Sequence, residues 1–203
     1  MTNLGAPNTY YINLSASVLG SDISRFDAAV DAAISGGATG LILDLRLPFS
    51  GGIDHRFLAR RLICSRFSSM TYNIPILTGP DLRSVDSSHY EVDPVNPYCG
   101  PIVLLVSPLI VSAAEDFGAM LTGAHRVTLI GRQSAGTNGN VTGVQLPGAV
   151  GLSFTGMEVR NVDGSVFHGV GFVPQINVTY TVQDIVTNRD RDLEAAIQYL
   201  QGP

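Results

Sequence analysis

The sequence contains no lysine, so all 12 of its basic residues are arginines. Acidic residues number 17, which gives a formal net charge of −5 at pH 7. The arginines form no basic stripe, so the sequence argues against a nucleic-acid partner. The absence of lysine also excludes a serine–lysine dyad within this chain, because no lysine amine is available to deprotonate a serine.

Cysteines are also scarce. Cys64 and Cys99 are the only two; they form no CxxC pair and have no histidine at a zinc-binding spacing, so we expect no metal and no organic cofactor. The sequence leaves open whether the two cysteines form a disulfide. The opening residues lack a basic segment followed by an apolar one, and no apolar run is long enough for a bilayer. We therefore expect neither a signal peptide nor a membrane span.

Apolar runs of strand length alternate with segments of helical periodicity. This order predicts an α/β fold with a parallel sheet, in a single domain over residues 1–203. The predicted strands are Thr9–Ala16, Gly40–Leu45, Pro101–Val106 and Arg126–Ile130, and the predicted helices are Asp22–Ser35, Ile53–Phe67, a helix beginning at Ser112, and Thr181–Leu200. Pro101–Val106 is predicted to be the central strand, buried on both faces, because it is apolar almost throughout.

Two other regions are rich in turn-forming residues. Ser68–Gly100 is predicted to be a long connection that holds one short strand at Ile74–Leu77, and a connection of this length is often functional. Val150–Val159 and Ser165–Val166 are predicted to be hairpin segments around the Asp163-Gly164 turn.

Ser112 lies where the central predicted strand gives way to a helix. Glu115 follows at the spacing of a capping box, so the two residues are predicted to cap this helix, as Thr181 and Asp184 are predicted to cap the last one. A second interpretation is catalytic. A serine at a strand-to-helix corner has free backbone amides and the positive end of the helix dipole beside its hydroxyl, and these stabilise an oxyanion.

Four segments occur in the order found in the C-terminal processing, or tail-specific, protease family of serine peptidases. They are Gly40–Arg46 followed by Gly51-Gly52, Pro101–Phe117 with its Ser-Ala-Ala-Glu, Val127–Gly136, and Asp163–Pro174. The sequence resembles this S41-type family, and in particular its tricorn-related branch. The resemblance implies a ClpP/crotonase-like core of stacked β-β-α units, here with a β-hairpin extension.

The resemblance also implies an activity and a setting. The expected function is that of a serine endopeptidase, which hydrolyses peptide bonds of a polypeptide substrate without a cofactor. Family members carry an N-terminal region or a peptide-binding PDZ domain, for which this chain has no room. If the chain is cut from an exported precursor, the family implies an extracytoplasmic location, either periplasmic or secreted.

By position, the resemblance assigns the nucleophile to Ser112. It assigns the oxyanion hole to the amide of Ala113 and to that of Gly51 or Gly52. From the residues alone, a glycine pair after a strand either allows close backbone approach to a ligand or forms an ordinary flexible turn. The region where many members have their catalytic lysine reads Thr-Asn-Gly-Asn from Thr137 onward.

Another base must therefore replace the lysine, and the candidates are the 4 histidines of the sequence. His168 is the first candidate, because it lies in a glycine-spaced turn where tricorn-like relatives place an active-site residue. The unperturbed pKa of histidine, about 6.5, suits a general base at neutral pH. His55, which is predicted to lie near the start of a helix after the glycine pair, is the alternative base.

Three acids are candidates to orient an imidazole: Asp44, Glu158 and Asp163. Asp44 is also predicted to fix its own loop through Arg46. Because the lysine is missing, a catalytically inactive protease-like domain that binds or scaffolds peptides is the alternative function. A crotonase-type acyl-CoA activity is disfavoured, since no extra basic residues are placed to receive a nucleotide phosphate.

Overall fold

The structure is a computed structural model that describes residues 2–4, 8–15, 23–47, 55–80 and 83–202. The helices of these residues are α1 (Ile23–Ser35), α2 (His55–Ala59), α3 (Ala113–Gly123), α4 (Val182–Val186) and α5 (Arg191–Gln201). The strands are β1 (Thr2–Asn3), β2 (Thr9–Asn13), β3 (Gly40–Asp44), β4 (Phe67–Ser68), β5 (Thr71–Leu77), β6 (Arg83–Ser88), β7 (Glu91–Val92), β8 (Ile102–Val106), β9 (Thr128–Gly131), β10 (Val141–Leu146), β11 (Val150–Thr155), β12 (Glu158–Arg160) and β13 (Ile176–Asn177).

The main sheet has six strands in the order β1-β2-β3-β8-β9-β13. The pairing of β1 with β2 is antiparallel and the other four pairings are parallel. β8 is an internal strand and all five of its residues are buried, so the prediction of a central buried strand is confirmed. The alternation of strands and helices along the chain produces this parallel layer, as predicted.

The sheet buries both of its faces, because successive side chains of β8 point in opposite directions. Leu104 belongs to the larger apolar cluster, which is covered by α1, α2 and α3. Val103 and Leu105 belong to a second cluster on the other face, which includes Ala196 of α5. The structure is therefore a sheet between helical layers, and α3 begins at the carboxyl end of β8.

The predicted helix Ile53–Phe67 is wrong in its extent. In the described residues, α2 ends at Ala59 and a turn follows. The carbonyl of Arg60 accepts from the amide of Val95 (2.9 Å), and that of Arg61 accepts from the amide of Tyr98 (2.8 Å). These carbonyls would bind amides one turn later in a continuous helix. Here the amides of a distant loop bind these carbonyls instead.

The predicted final helix is divided into α4 and α5. The capping box at its start is confirmed, because Thr181 N–H donates to Asp184 Oδ2 (2.9 Å) and Asp184 N–H donates to Thr181 Oγ1 (3.1 Å). Asn188 has a positive φ of 54° between the two helices. Asp190 then caps α5 by accepting from Leu193 N–H at 3.1 Å.

The β-hairpin extension is present, but its strands differ from those predicted. β10 pairs with β11 over six residue pairs, whereas β12 pairs with β5. The short strand predicted at Ile74–Leu77 extends to Thr71 and pairs with β6 to form a second hairpin. The turn at Asp163-Gly164 joins Arg160 to Val166 through one isolated bridge. Alternation of apolar and polar residues cannot say which neighbouring strand a β-segment will join.

A disulfide joins Cys64 to Cys99 and ties the segment after α2 to the segment before β8, which settles the pairing that the sequence left open. Arg126 joins the same two segments without a covalent bond. Its guanidinium donates to the carbonyl of Leu62 (2.7 Å) and to those of Tyr98 and Gly100 (both 3.0 Å). Among the described helices, none has the length and apolar character needed to cross a membrane.

Candidate active site

Ser112 is exposed at the corner between β8 and α3. Its backbone has φ 55° and ψ −127°, a conformation that residues with a Cβ rarely adopt. The surrounding backbone holds it there: Ser112 N–H donates to the carbonyl of Thr137 (2.8 Å), and its own carbonyl accepts from the amides of Glu115 (2.7 Å) and Asp116 (3.1 Å). A strained serine at a strand-to-helix turn is the geometry of a nucleophile elbow.

The prediction that Ser112 and Glu115 form a capping box is wrong. Within the described residues the Ser112 hydroxyl makes no hydrogen bond, either to the helix or elsewhere. Glu115 is fully buried, and its Oε1 accepts from the Ser134 hydroxyl and from Gly136 N–H, both at 2.7 Å. Glu115 thus fixes the loop after β9 instead of the helix start. The Ser112 hydroxyl is left available for chemistry.

Burial raises the pKa of Glu115 above its usual range, against the lowering effect of the Ser134 hydroxyl and of nearby backbone amides. The hydrogen bonds of the Glu115 carboxyl attach the loop after β9 to α3. The loop also contributes Thr137, whose carbonyl binds the Ser112 amide.

Asp116 lies one helical turn beyond Ser112, on the same side of α3. Its Oδ1 accepts from the Tyr72 hydroxyl (2.8 Å) and from Asn138 Nδ2 (2.5 Å). Burial and the carboxylate of Asp116 raise the pKa of Tyr72, so its phenol remains a hydrogen-bond donor. Asp116 is not among the residues predicted from the sequence. Its i+4 spacing from Ser112 is the signal that could have found it.

His168 lies at the edge of this network and is half-buried. Its Nε2 is 2.6 Å from the carbonyl oxygen of Asn138. A backbone carbonyl only accepts hydrogen bonds, so Nε2 must carry a proton and Nδ1 is the ring nitrogen that can accept one. The structure thus connects His168 to Asp116 through Asn138, but it shows no hydrogen bond between His168 and the Ser112 hydroxyl.

His55 approaches the same network from α2. Its Nε2 is 3.6 Å from Asp116 Oδ2, on the side of the carboxylate opposite to Asn138. The helix that carries it packs against α3. Asp116 therefore connects the two histidines that the sequence analysis selected, directly to His55 and through Asn138 to His168.

One of the predicted oxyanion-hole residues, Ala113, lies in the described part of the chain. Ala113 is the first residue of α3, so its amide has no acceptor within the helix and lies at the positive end of the helix dipole. Gly51 and Gly52 lie outside the described residues. The described part of the predicted oxyanion hole is thus the amide of Ala113.

A groove of ≈ 690 Å³ leads away from His168. Pro75 and Val85 of the β5–β6 hairpin line one side of it, and Phe154 of β11 lines another. In the β10–β11 hairpin the cross-strand pairs Val144–Leu152 and Leu146–Val150 share one face with Phe154, and all of these side chains are exposed. The groove therefore has mixed walls, in which these apolar side chains alternate with polar ones such as Asn73, Ser87 and Glu158, and His168 is one of its lining residues.

The candidate acids are paired with groups other than an imidazole, although Glu158 lines the groove beside His168. Arg46 Nη2 binds Asp44 Oδ2 at 2.6 Å, so the prediction that Asp44 fixes its own loop is confirmed. Glu158 is paired with Arg160 at 2.6 Å, and Asp163 accepts from Ser165 within its own turn. Across the described residues, no three His, Cys, Asp or Glu side chains are grouped so as to hold a metal ion.

The fold is ClpP/crotonase-like, and the site is a serine at a nucleophile elbow beside a buried polar network. Comparison with known proteins gives the family: a model of peptidase family S41 matches residues 8–178, and the chain belongs to this family. A protein of Chlamydia pneumoniae is 32% identical over 108 residues, which make up 52% of this chain and 17% of that protein. The chain thus matches only a small part of the length of this curated relative.

Solved structures agree on the fold. A candidate peptidase from Parabacteroides merdae superimposes with a TM-score of 0.82 at 22% identity, over 98% of this chain and 63% of that one. Mature CPAF, solved in complex with lactacystin, gives a TM-score of 0.75 at 16% identity, over 95% of this chain and 50% of that one. At these identities the likeness concerns the fold alone.

Proposed function

We propose that this chain is the core of a serine endopeptidase that hydrolyses peptide bonds through an acyl-enzyme on Ser112. The observation that carries the proposal is the backbone of Ser112. Ser112 is exposed and has a strained φ, and its hydroxyl neither caps the helix nor binds a described residue. Backbone strain of this kind is expected where catalysis requires it. Membership of peptidase family S41 supports the same reading.

The proposed reaction begins when a histidine takes the proton of the Ser112 hydroxyl. The oxygen then bonds to the scissile carbonyl carbon, and the carbonyl oxygen becomes an oxyanion that accepts from the amide of Ala113. As the carbon–nitrogen bond breaks, the imidazolium gives its proton to the leaving amine. A water, deprotonated by the same imidazole, hydrolyses the acyl-enzyme and regenerates Ser112.

His168 is the proposed base. Because its Nε2 donates to the carbonyl of Asn138, Nδ1 is the free acceptor, and the groove beside it offers room for an extended polypeptide. His55 is the alternative, with Asp116 as the acid beside its ring. The two assignments of the base predict different results for substitution of each histidine. Only the histidine that acts as the base is needed to activate the Ser112 hydroxyl, so only its loss should prevent acylation.

The test is labelling with a fluorophosphonate probe, followed by intact mass measurement. Labelling of the wild type and of Ser153→Ala, a control at an exposed serine of β11, together with none for Ser112→Ala, supports the proposal. His168→Gln is expected to slow labelling by about 10²–10⁴, the range for loss of a general base, while His55→Gln changes it little. The reverse order assigns the base to His55. A folded wild type that takes no label contradicts the proposal.

The alternative function is a catalytically inactive domain that binds extended peptides. One observation favours it: both candidate bases, His55 and His168, contact other groups, and neither is hydrogen-bonded to Ser112. In that case a folded chain would bind peptides in the groove beside His168 without forming an acyl-enzyme. Peptide binding in the absence of probe labelling would select this alternative.

A cellular location and a further domain are also proposed for this protein. The Cys64–Cys99 disulfide is of a kind that persists in oxidising surroundings, which supports an extracytoplasmic location. The expected N-terminal or PDZ domain remains a proposal, and it agrees with the small share of the Chlamydia pneumoniae relative that this chain matches. Fractionation of the source cells and sequencing of the full gene product test the two points separately.

A further inference from the structure

The loop after β9 contacts both the proposed nucleophile and the proposed base. The carbonyl of Thr137 accepts from the amide of Ser112 at 2.8 Å. The carbonyl of the next residue, Asn138, accepts from Nε2 of His168 at 2.6 Å. Two successive carbonyls of one loop thus hold the backbone of the serine and the ring of the histidine.

The sequence of this loop does not make it rigid. Gly136 (φ 68°) and Gly139 (φ 103°) flank Thr137 and Asn138, and glycine has more conformational freedom than any other residue. The strand that follows, β10, belongs to a two-stranded sheet and not to the main one. The position of the two carbonyls therefore depends on side chains that lie outside the loop.

Two successive acidic residues of α3 supply these side chains. Glu115 binds the first part of the loop through the Ser134 hydroxyl (2.7 Å). Asp116 binds the second part, because its Oδ1 accepts from Asn138 Nδ2 at 2.5 Å. Asn138 is only 2% exposed, and its own Oδ1 accepts from the amide of Gly139 (2.6 Å). Both ends of its side-chain amide are thus hydrogen-bonded.

Asp116 is itself held in place. Its Oδ1 also accepts from the hydroxyl of Tyr72 on β5 (2.8 Å), and the residue is buried. A buried amide that loses its acceptor pays the full cost of desolvation, so Asn138 would have to move if Asp116 were removed. The carbonyl that binds His168 would move with it.

We propose that Asp116 is a positioning residue for the proposed base: through Asn138 it holds the ring of His168 with the proton on Nε2 and the lone pair on Nδ1. The inference rests on the proposed function, in which His168 takes the proton of the Ser112 hydroxyl. Asp116 touches neither the substrate nor the reacting atoms. Its removal leaves the nucleophile and the base in the chain but misplaces the base.

The first measurement does not depend on acylation. The chemical shifts of the ring nitrogens of His168, assigned with His168→Gln, report which nitrogen carries the proton; they are recorded about two pH units above the ordinary histidine pKa of about 6.5, where the ring is neutral. We expect the proton on Nε2 in the wild type. The ratio of the Nδ1-protonated to the Nε2-protonated form should rise about twofold to tenfold in Asp116→Ala, as the loss of one hydrogen bond implies. An unchanged ratio overturns the proposal.

The second measurement is the rate at which the fluorophosphonate probe labels Ser112. Asp116→Ala should slow labelling by about tenfold to a hundredfold, since a small misplacement of a reacting group has an effect of this size. Asp116→Asn should recover most of the loss, because an amide oxygen accepts two hydrogen bonds as a carboxylate oxygen does. Equal loss in both variants, in proportion to the unfolded fraction, would show a merely structural role and contradict the proposal.

Two further variants test the route and the specificity. Asn138→Ala removes the group through which Asp116 acts, so the double variant should label no more slowly than Asp116→Ala alone, whereas additive losses contradict this route. Asp184→Ala is the matched control. It removes another buried carboxylate that accepts from a hydroxyl and an amide, both of Thr181, and should change neither the ratio nor the rate. A wild type that shows the expected ratio but takes no label sinks the peptidase proposal and leaves the positioning of the ring supported.

Discussion

The backbone of Ser112 predicts that glycine at this position will give a more stable protein than alanine, although both substitutions remove the proposed nucleophile. At φ 55° and ψ −127°, any residue with a Cβ is strained, and glycine is not. Ser112→Ala deletes the hydroxyl and keeps the strain. Ser112→Gly deletes the hydroxyl and the strain together. The two variants thus differ in backbone conformational energy at the same position, with neither able to form an acyl-enzyme.

The size of the difference follows from two opposing contributions. A residue held in such a sparsely populated region costs about 1–3 kcal/mol. Glycine also destabilises the folded state by about 0.4–1 kcal/mol, because it makes the unfolded chain more flexible. We therefore expect Ser112→Gly to be more stable than Ser112→Ala by roughly 0.5–2 kcal/mol. At about 2–4 °C per kcal/mol for a chain of this size, its unfolding midpoint should be a few degrees higher.

The assay is urea unfolding and thermal unfolding of the two variants in parallel, with the disulfide intact. Because neither variant has the hydroxyl, catalysis and autolysis cannot affect the comparison. Equal stability of the two variants, or a less stable Ser112→Gly, would show that the corner is not strained in solution. The inference from strain to catalysis would then lose its basis.

Four further predictions concern stability and are all measured by urea unfolding. Glu115→Ala leaves a buried hydroxyl and a buried amide without their acceptor and should cost about 3–5 kcal/mol. Burial raises the pKa of Glu115 from 4.5, so the contribution of Glu115 to the free energy of unfolding is largest below that pH and is lost as pH rises. The stability of Glu115→Gln relative to the wild type should therefore increase between pH 4 and pH 7. A difference in stability that stays constant over this range would contradict the prediction. Arg46→Met leaves three carboxylates, those of Asp44, Asp190 and Asp192, without their counter-ion and should cost about 3–5 kcal/mol at pH 7, less near pH 4; an equal loss at both values would refute the charge argument. Reduction of Cys64–Cys99, which are 35 positions apart, should cost about 4 kcal/mol by loss of a constraint on the unfolded chain; Cys64→Ser with Cys99→Ser should match it.

The central strands of the sheet were predictable because they are almost continuously apolar, whereas the two-residue edge strands β1 and β13 were not predicted. Gly40–Asp44 and Ile102–Val106 are buried at every residue, and a run of this kind is typical of an internal parallel strand. The end of α2 was not predictable, because it depends on amides of Val95 and Tyr98 that lie more than 30 positions along the chain. Periodicity describes local sequence and cannot register such a partner.

The site was predictable in its central residue and not in its surroundings. The position of Ser112 after a buried strand indicated the corner, and the family resemblance implies the nucleophilic role that we propose for it. The Ser-x-x-Glu spacing then suggested a capping box, yet Glu115 turns into the core to bind the loop after β9. A spacing fixes which residues are neighbours, whereas the direction of a side chain depends on the donors that tertiary packing brings to it. Asp116 was missed for the same reason.

The arginine that bridges the carbonyls of Leu62, Tyr98 and Gly100 duplicates the connection made by the disulfide. The sulfur bridge acts mainly on the unfolded chain, whereas the guanidinium holds the folded backbone in place. A reduced molecule that remains folded should therefore keep α2, and with it His55, where the oxidised molecule has them. Loss of the disulfide would lower the equilibrium population of the native state without altering the structure of that state, so transfer to a reducing compartment would affect the abundance of this protein before its site.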